Sequence, residues 1–261
     1  MYKFLKMKFI DTHSHLYSDQ FDSDRETVIE NAIEKGVSKI ILPAIDSTYI
    51  KKMYALEEKF PENIFVMIGL HPCDVKDNYI DELCFIENEL KRRKFCAIGE
   101  IGIDLFWDKS TLSIQKIAFQ KQIQLAKQYK LPINIHCRDA FQEVFEVLEL
   151  EKGDDLFGVF HCFSGTLEDA QRAISYNLKL GIGGVVTFKN GKIDQFLSQI
   201  PINNLVLETD SPYLAPVPYR GKRNESTYIP LIAQKLAEIY NITVEEVAEI
   251  TTETAQNIFK I

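Results

Sequence analysis

The sequence predicts an α/β protein of the (β/α)8 TIM-barrel class, formed by residues 1–261 as one domain. Eight short runs rich in β-branched residues alternate with longer segments of helical period, and eight such units in 261 residues match a closed barrel. The loop after the first run, HSHLYSDQFDS, contains no glycine, which argues against an open nucleotide-binding sheet. A hydrophobic fraction of 46% is sufficient for one large core.

The strand candidates are short, apolar and mostly bounded by polar or turn-forming residues. In chain order they are residues 7–13, 38–45, 64–71, 94–104, 132–137, 156–163, 178–186 and 204–210.

Amphipathic segments lie between these strands and after the last one. We expect helices at residues 24–36, 48–60, 80–94, 112–130, 139–152, 166–177, 192–200, 229–241 and 243–261. Thr243 and Glu246 have the spacing of a capping box, which predicts a helix start at that position.

Composition limits the classes of function and location. The formal net charge is −8, whereas a non-specific nucleic-acid binder is usually basic, so any nucleic acid would be held at a local site. No apolar run approaches 20 residues, which predicts no membrane span, and the first residues are expected to form an extension before strand one rather than a signal peptide. Five cysteines without a C-x-x-C motif favour a reducing cytoplasm. No feature indicates an obligate protein partner.

All five histidines are predicted at carboxyl ends of strands. They are His13 and His15 after strand one, His71 after strand three, His136 after strand five and His161 after strand six. Residues i and i+2 of an extended chain face the same side, so the first pair should point at one place. The carboxyl ends of barrel strands converge on one mouth, which predicts a cluster of imidazoles there.

Two carboxylates join this cluster. Glu100 ends strand four and Asp210 ends strand eight. Imidazole and carboxylate ligands suit Zn²⁺, Mn²⁺, or Mg²⁺ with additional waters. Six ligand candidates exceed the needs of one tetrahedral ion, so we expect two divalent ions bridged by a carboxylate.

Other polar residues near the strand ends have open roles. His71 could contact substrate or support a ligand, and Glu208 and Asp104 could be supporting, structural or catalytic. Arg138, with Arg220 or Arg223, could clamp a flanking phosphate.

The only tryptophan, Trp107, could stack on a base or pack within its loop.

Taken together, the motifs DTHSHL, GLHP, GEIGID, HCRDA, HCFSG, GIGGVVTFKN and ETDSPYL closely resemble the TatD family of metal-dependent deoxyribonucleases. The resemblance implies an amidohydrolase-like barrel, and it implies 3′–5′ exonuclease activity on DNA, for some members also on RNA. It places a first metal on His13 and His15, a bridging carboxylate at Glu100, a second metal on His136 and His161, and a catalytic aspartate at Asp210.

The expected activity is therefore phosphodiester hydrolysis by a water activated between two metal ions, with Asp210 as general base and DNA, or RNA, as a transient substrate. Two alternatives remain. The first is hydrolysis of a small ester or amide, including deacylation of aminoacyl esters, on the same scaffold. The second is a non-catalytic scaffold that keeps a metal site.

Overall fold

The computed structural model describes residues 7–261, and its centre is one parallel eight-stranded sheet in the order β1 to β8. The strands are β1 Phe9–Asp11, β2 Val37–Leu42, β3 Ile64–Ile68, β4 Ala97–Asp104, β5 Ile133–Arg138, β6 Gly158–Phe160, β7 Leu178–Ile182 and β8 Leu205–Leu207.

The sheet closes on itself between β8 and β1. The backbone N–H of Thr12 donates to the carbonyl of Leu207 at 3.0 Å, and Ser14 and Ser211 form a parallel bridge just beyond the two strands. The predicted (β/α)8 barrel is therefore confirmed. All carboxyl ends of the strands lie at the same rim, since every neighbouring pair within the sheet is parallel.

Eight α-helices accompany these strands in residues 7–261. They are α1 Arg25–Glu34, α2 Ile50–Lys59, α3 Tyr79–Arg92, α4 Leu112–Tyr129, α5 Phe141–Leu150, α6 Leu167–Ser175, α7 Ile229–Tyr240 and α8 Val244–Phe259. The predicted capping box is present at the start of α8.

The helix predicted at residues 192–200 is wrong. This segment forms two single 3₁₀ turns, Ile193–Gln195 and Leu197–Gln199, interrupted at Phe196 with φ of −126°. The hydroxyl oxygen of Tyr240 lies 2.6 Å from the carbonyl oxygen of Leu197 and 2.8 Å from that of Ile200, so these two carbonyls share its single hydrogen. The Leu197 carbonyl also accepts the backbone N–H of Ile200 at 2.9 Å, which is the bond of a single 3₁₀ turn, so the contact with Tyr240 of α7 adds to that turn and no α-helix continues from it.

The end of the barrel opposite the site is closed by α8. Apolar side chains of six strands meet the last turns of this helix in one buried cluster: Ile10, Ile41, Met67, Ala97, Val159, Val206, Ala255, Ile258 and Phe259. The interior is thus a packed core, and the polar residues collect at the other end of the strands.

No helix in residues 7–261 combines the length and the apolar composition that a membrane crossing requires. The predicted N-terminal extension, residues 1–6, lies outside the described residues.

Replacing Thr243 by Ala should lower the free energy of unfolding by about 1 kcal/mol, because the backbone N–H of Glu246 loses its side-chain acceptor. In a protein of this size that corresponds to a decrease in Tm of about 2–4 °C. Thr243→Ser, which keeps the hydroxyl, is the control in thermal unfolding followed by circular dichroism. Equal Tm values for the two variants would contradict the cap.

Candidate active site

His13 and His15 follow β1 directly and point at the same place. Both are buried, and their Nε2 atoms lie 3.2 Å apart. The i, i+2 spacing therefore produces the convergence that the sequence predicts.

Neighbouring side chains decide which nitrogen of each imidazole is free. The Tyr17 hydroxyl donates to the carbonyl of Pro43 at 2.7 Å, so it accepts a hydrogen bond from Nδ1 of His15, also at 2.7 Å. Nδ1 of His13 donates to the amide oxygen of Asn134 at 2.8 Å. Both Nε2 atoms consequently carry a lone pair and no hydrogen.

Two carboxylates face these lone pairs. Oε2 of Glu100 lies 3.2 Å from Nε2 of His13 and 3.5 Å from Nε2 of His15. Oδ1 of Asp210 lies 3.5 Å from Nε2 of His15 and 3.8 Å from that of His13. Four acceptor atoms without a hydrogen between them fit a divalent cation, which supplies the positive charge that the cluster lacks.

The other oxygen of Glu100 faces three further imidazoles. Oε1 lies 2.7 Å from Nδ1 of His136, 3.4 Å from Nε2 of His71 and 3.7 Å from Nε2 of His161. Every histidine of the chain therefore has a ring nitrogen within 3.7 Å of a Glu100 oxygen. Glu100 therefore directs one oxygen at each group, while the stacked rings of His13 and His161, with centroids 3.4 Å apart, bring the two groups into contact.

Carboxylates also hold the outer nitrogens of two histidines. Asp104 Oδ2 lies 2.9 Å from Nε2 of His136, and Glu208 Oε1 lies 2.9 Å from Nδ1 of His161. A β-carbon at Gly181 would lie 2.1 Å from Oε2 of Glu208, so glycine is needed there to leave room for this carboxylate. With these nitrogens in contact with carboxylates, Nδ1 of His136 and Nε2 of His161 face Glu100. Metal-bound histidines in proteins commonly contact a carboxylate through their other ring nitrogen in the same way.

His71 presents a donor to the site rather than an acceptor. The backbone N–H of Cys73 donates to Nδ1 of His71 at 3.1 Å, so Nε2 carries the proton of the neutral ring. In this tautomer Nε2 cannot bind a cation, but it can donate to Glu100 or to an oxygen of a bound substrate.

The pKa values reflect this crowding of charges. Burial lowers the pKa of His136, but hydrogen bonds to Asp104 and Glu100 outweigh it and raise the pKa to about 9. Burial also lowers the pKa of His161, but the charges of Glu208 and Glu100 outweigh it and raise the pKa to about 10. Burial raises the pKa of Glu100, yet the surrounding histidines bring it well below its usual value. Without metal, protons on His136 and His161 thus balance the buried carboxylates.

Asp210 lies in a left-handed backbone conformation with φ of 58°, which aspartate tolerates better than most residues. Its N–H donates to the carbonyl of His13 at 2.9 Å. Nearby, the buried carboxylate of Asp11 accepts hydrogen bonds from the N–H groups of His13 and Thr209 and from the Thr209 hydroxyl. Asp11 therefore ties the end of β1 to the segment after β8, and it aligns two parts of the site.

The predicted arginine clamps have different surroundings. The guanidinium of Arg138 stacks over Phe106, and that of Arg220 stacks over Phe188, with distances of 3.8 and 4.0 Å to the ring centroids. Arg223 pairs with Asp24 and Glu225, so the prediction that it clamps a phosphate is not supported by its contacts.

Sequence reasoning did not find Tyr17, Asn134 and Asp11. Each is buried and bonded to a histidine of the first pair. Asp11 and Tyr17 lie two positions before and after that pair, on the same side of an extended chain, which is the only local signal for them. Asn134 carries no comparable local signal.

Comparison with known proteins identifies relatives that match nearly the whole chain. A sequence profile of the family described as TatD related DNase matches residues 10–260. The Bacillus subtilis (strain 168) protein named uncharacterized metal-dependent hydrolase YabD is 42% identical over 252 residues, which cover 96% of this chain and 98% of the relative. The Pectobacterium parmentieri protein named 3′-5′ ssDNA/RNA exonuclease TatD is 31% identical over 257 residues, with 96% and 99% covered.

Solved structures agree with these sequence matches. The crystal structure of the TatD homolog YjjV from Escherichia coli K12 superposes with a TM-score of 0.92 at 30% identity, covering 98% of this chain and 100% of that one. A TatD-family hydrolase from Entamoeba histolytica superposes with a TM-score of 0.84 at 25% identity, covering 97% and 98%.

Tyr17→Phe should weaken binding of Zn²⁺ or Mn²⁺ by about 10–100-fold, because Nδ1 of His15 loses the acceptor that fixes its tautomer. Titration calorimetry on the metal-free protein measures this change. Tyr49→Phe is the matched control, since Tyr49 packs on the Tyr17 ring, with 5.3 Å between the ring centroids, and not on His15. Unchanged affinity in folded Tyr17→Phe would refute the role of the hydroxyl.

Metal affinity should rise with pH between about pH 6 and 8. In the metal-free protein His136 and His161 hold protons up to about pH 9 and 10, and an imidazole must lose its proton to bind a cation at that nitrogen. Each displaced proton contributes up to about tenfold in affinity per pH unit. Calorimetry in buffers of different ionisation enthalpy counts the released protons. A pH-independent affinity without proton release would contradict the charge balance described for the site.

Proposed function

The chain belongs to the TatD-related DNase family, and from this premise we propose that it is a divalent-metal-dependent hydrolase that cleaves phosphodiester bonds of nucleic acid as a 3′–5′ exodeoxyribonuclease. The observation that carries the proposal is Glu100, which is 2% exposed and directs one oxygen at each of two imidazole groups. This arrangement supports two cations, Mg²⁺, Mn²⁺ or Zn²⁺, with Glu100 between them. The name of the Pectobacterium relative supports single-stranded DNA or RNA as the substrate.

The proposed ligands divide according to the oxygen of Glu100 that they face. His13, His15 and Asp210 would hold one cation with Oε2, and His136 and His161 would hold the other with Oε1. Bound in such a site, divalent cations lower the pKa of water toward neutrality and withdraw charge from phosphate oxygens.

Asp210 is the proposed general base. Burial raises the pKa of Asp210, but a hydrogen bond to His15 and the charges of neighbouring imidazoles outweigh it and lower the pKa. The carboxylate is therefore ionised at neutral pH and can accept a proton from the attacking water. Its side chain is 14% exposed, so it is also accessible from the mouth of the barrel.

His71 is the proposed donor to the substrate. Its Nε2–H points into the same cluster, 3.4 Å from Oε1 of Glu100, and can donate to a phosphate oxygen placed there. Arg138 and Arg220, both at the rim, would bind flanking phosphates. These local cations compensate for the net charge of −8 where the polyanion would approach.

The decisive test is cleavage of single-stranded DNA labelled at either end, with Mg²⁺, Mn²⁺ and Zn²⁺ supplied in turn. A 3′–5′ exonuclease releases the 3′ label at once as a mononucleotide, whereas the strand that carries a 5′ label becomes progressively shorter. Glu100→Gln should fold and lose more than about 100-fold in rate, because the substitution removes the charge between both cation positions.

Glu89→Gln is the matched control, because Glu89 is also a buried glutamate but bonds to Tyr54 and Arg92 rather than to a histidine. This variant should retain the wild-type rate. Turnover of a panel of small esters and amides without any cleavage of DNA or RNA would favour the alternative hydrolase. Metal binding without turnover of any substrate would favour the non-catalytic scaffold.

A further inference from the structure

The loop between β4 and α4 exposes an aromatic pair at the mouth of the barrel. Phe106 is 50% exposed and Trp107 is 70% exposed, and their rings pack edge to face with centroids 4.9 Å apart. Trp107 thus contacts Phe106 within its loop, but most of its surface stays open to water. Large aromatic surface left open to water at one place is typical of a binding site.

The distribution of exposed apolar residues supports this interpretation. Nine large hydrophobic side chains are exposed in residues 7–261, and five of them lie in the loops that follow β4 and β8. These five are Phe106, Trp107, Tyr213, Leu214 and Val217. The apolar surface is thus concentrated at the rim that carries the candidate site.

A cation completes the aromatic pair. The guanidinium of Arg138 lies 3.8 Å from the ring centroid of Phe106 and 5.6 Å from that of Trp107. Stacking on a ring leaves the N–H groups at the edge of a guanidinium free to donate to an anion. A surface with an open π face beside such donors is complementary to a ligand that combines a planar ring with a phosphate.

The aromatic pair is joined to the candidate metal site through a single side chain. Oδ1 of Asp104 accepts hydrogen bonds from the N–H groups of Phe106 and Trp107 at 2.9 and 3.2 Å. Oδ2 of the same carboxylate lies 2.9 Å from Nε2 of His136. Asp104 therefore holds the aromatic loop and a candidate ligand in one fixed relation.

From this arrangement we propose that Phe106, Trp107 and Arg138 form a subsite that stacks the base of a nucleotide next to the scissile phosphate. Arg138 binds the phosphate of that nucleotide. The inference rests on the proposed nuclease function and refines its substrate class. A base within a duplex has no free face, so the subsite selects single-stranded nucleic acid, and stacking makes it tolerant of sequence.

Trp107 is the only tryptophan of the chain, so its fluorescence reports on this subsite alone. The Mg²⁺-loaded protein is titrated with a short phosphorothioate oligothymidylate, which resists hydrolysis during the measurement. The expected result is saturable quenching by the oligonucleotide. A matched oligomer with abasic positions near its 3′ end, which keeps the charge but lacks the bases, should quench at concentrations about tenfold higher. Equal quenching by both oligomers, or none by either, would overturn the subsite.

A kinetic comparison tests the same contact through cleavage. With wild-type protein the KM for the abasic oligomer should exceed that for the intact one by about tenfold. Trp107→Leu should bring this ratio close to one with little change in kcat, and Trp107→Phe, which keeps a π face, should retain most of it. An unchanged ratio in Trp107→Leu would refute stacking, although the nuclease function would stand. Absence of cleavage of either oligomer by the wild type would refute the proposed function itself.

Discussion

One buried carboxylate, that of Glu100, determines how the rest of the site is arranged. An ionised carboxylate in a water-poor interior requires positive charge close by. Five imidazoles surround it, each with a nitrogen within 3.7 Å of one of its oxygens. In the metal-free protein, protons on His136 and His161 supply the charge. The divalent cations proposed for the site would displace these protons, so that metal binding and proton release would be linked.

The outer contacts of the histidines decide what each one offers. Tyr17, Asn134, Asp104 and Glu208 each contact one nitrogen of a ring, which leaves the other nitrogen facing Glu100. His71 is the exception. Its Nδ1 accepts the backbone N–H of Cys73, so the proton of the ring is on Nε2, which faces the site. Rings of the same type thus differ in which nitrogen faces Glu100 and in whether that nitrogen carries a proton, and their neighbours determine both properties.

The apolar core and the candidate site lie at opposite ends of the barrel axis. At one end α8 packs against apolar side chains of the strands and excludes water. At the other end, the imidazoles, carboxylates and exposed aromatic rings lie at the carboxyl ends of the parallel strands and in the loops that follow them. Asp104 connects the two parts of this rim, because it bonds both to His136 and to the loop of Phe106 and Trp107. The position of the aromatic loop and the orientation of the His136 ring thus depend on the same carboxylate.

The sequence by itself determined the barrel and the level at which the histidines, Glu100 and Asp210 would meet, because period and strand-end position are local properties of the chain. It also predicted the cap of α8. Only the tertiary structure decided the tautomers of His15 and His71 and the stacking of Arg138 on Phe106. It also decided the loss of helix at residues 192–200, where the hydroxyl of Tyr240 in α7 contacts the carbonyls of Leu197 and Ile200. The contacts of Arg138 with Phe106, of Tyr240 with Leu197 and of Asn134 with His13 join groups far apart along the chain, and a local pattern of residues cannot encode which of them come together.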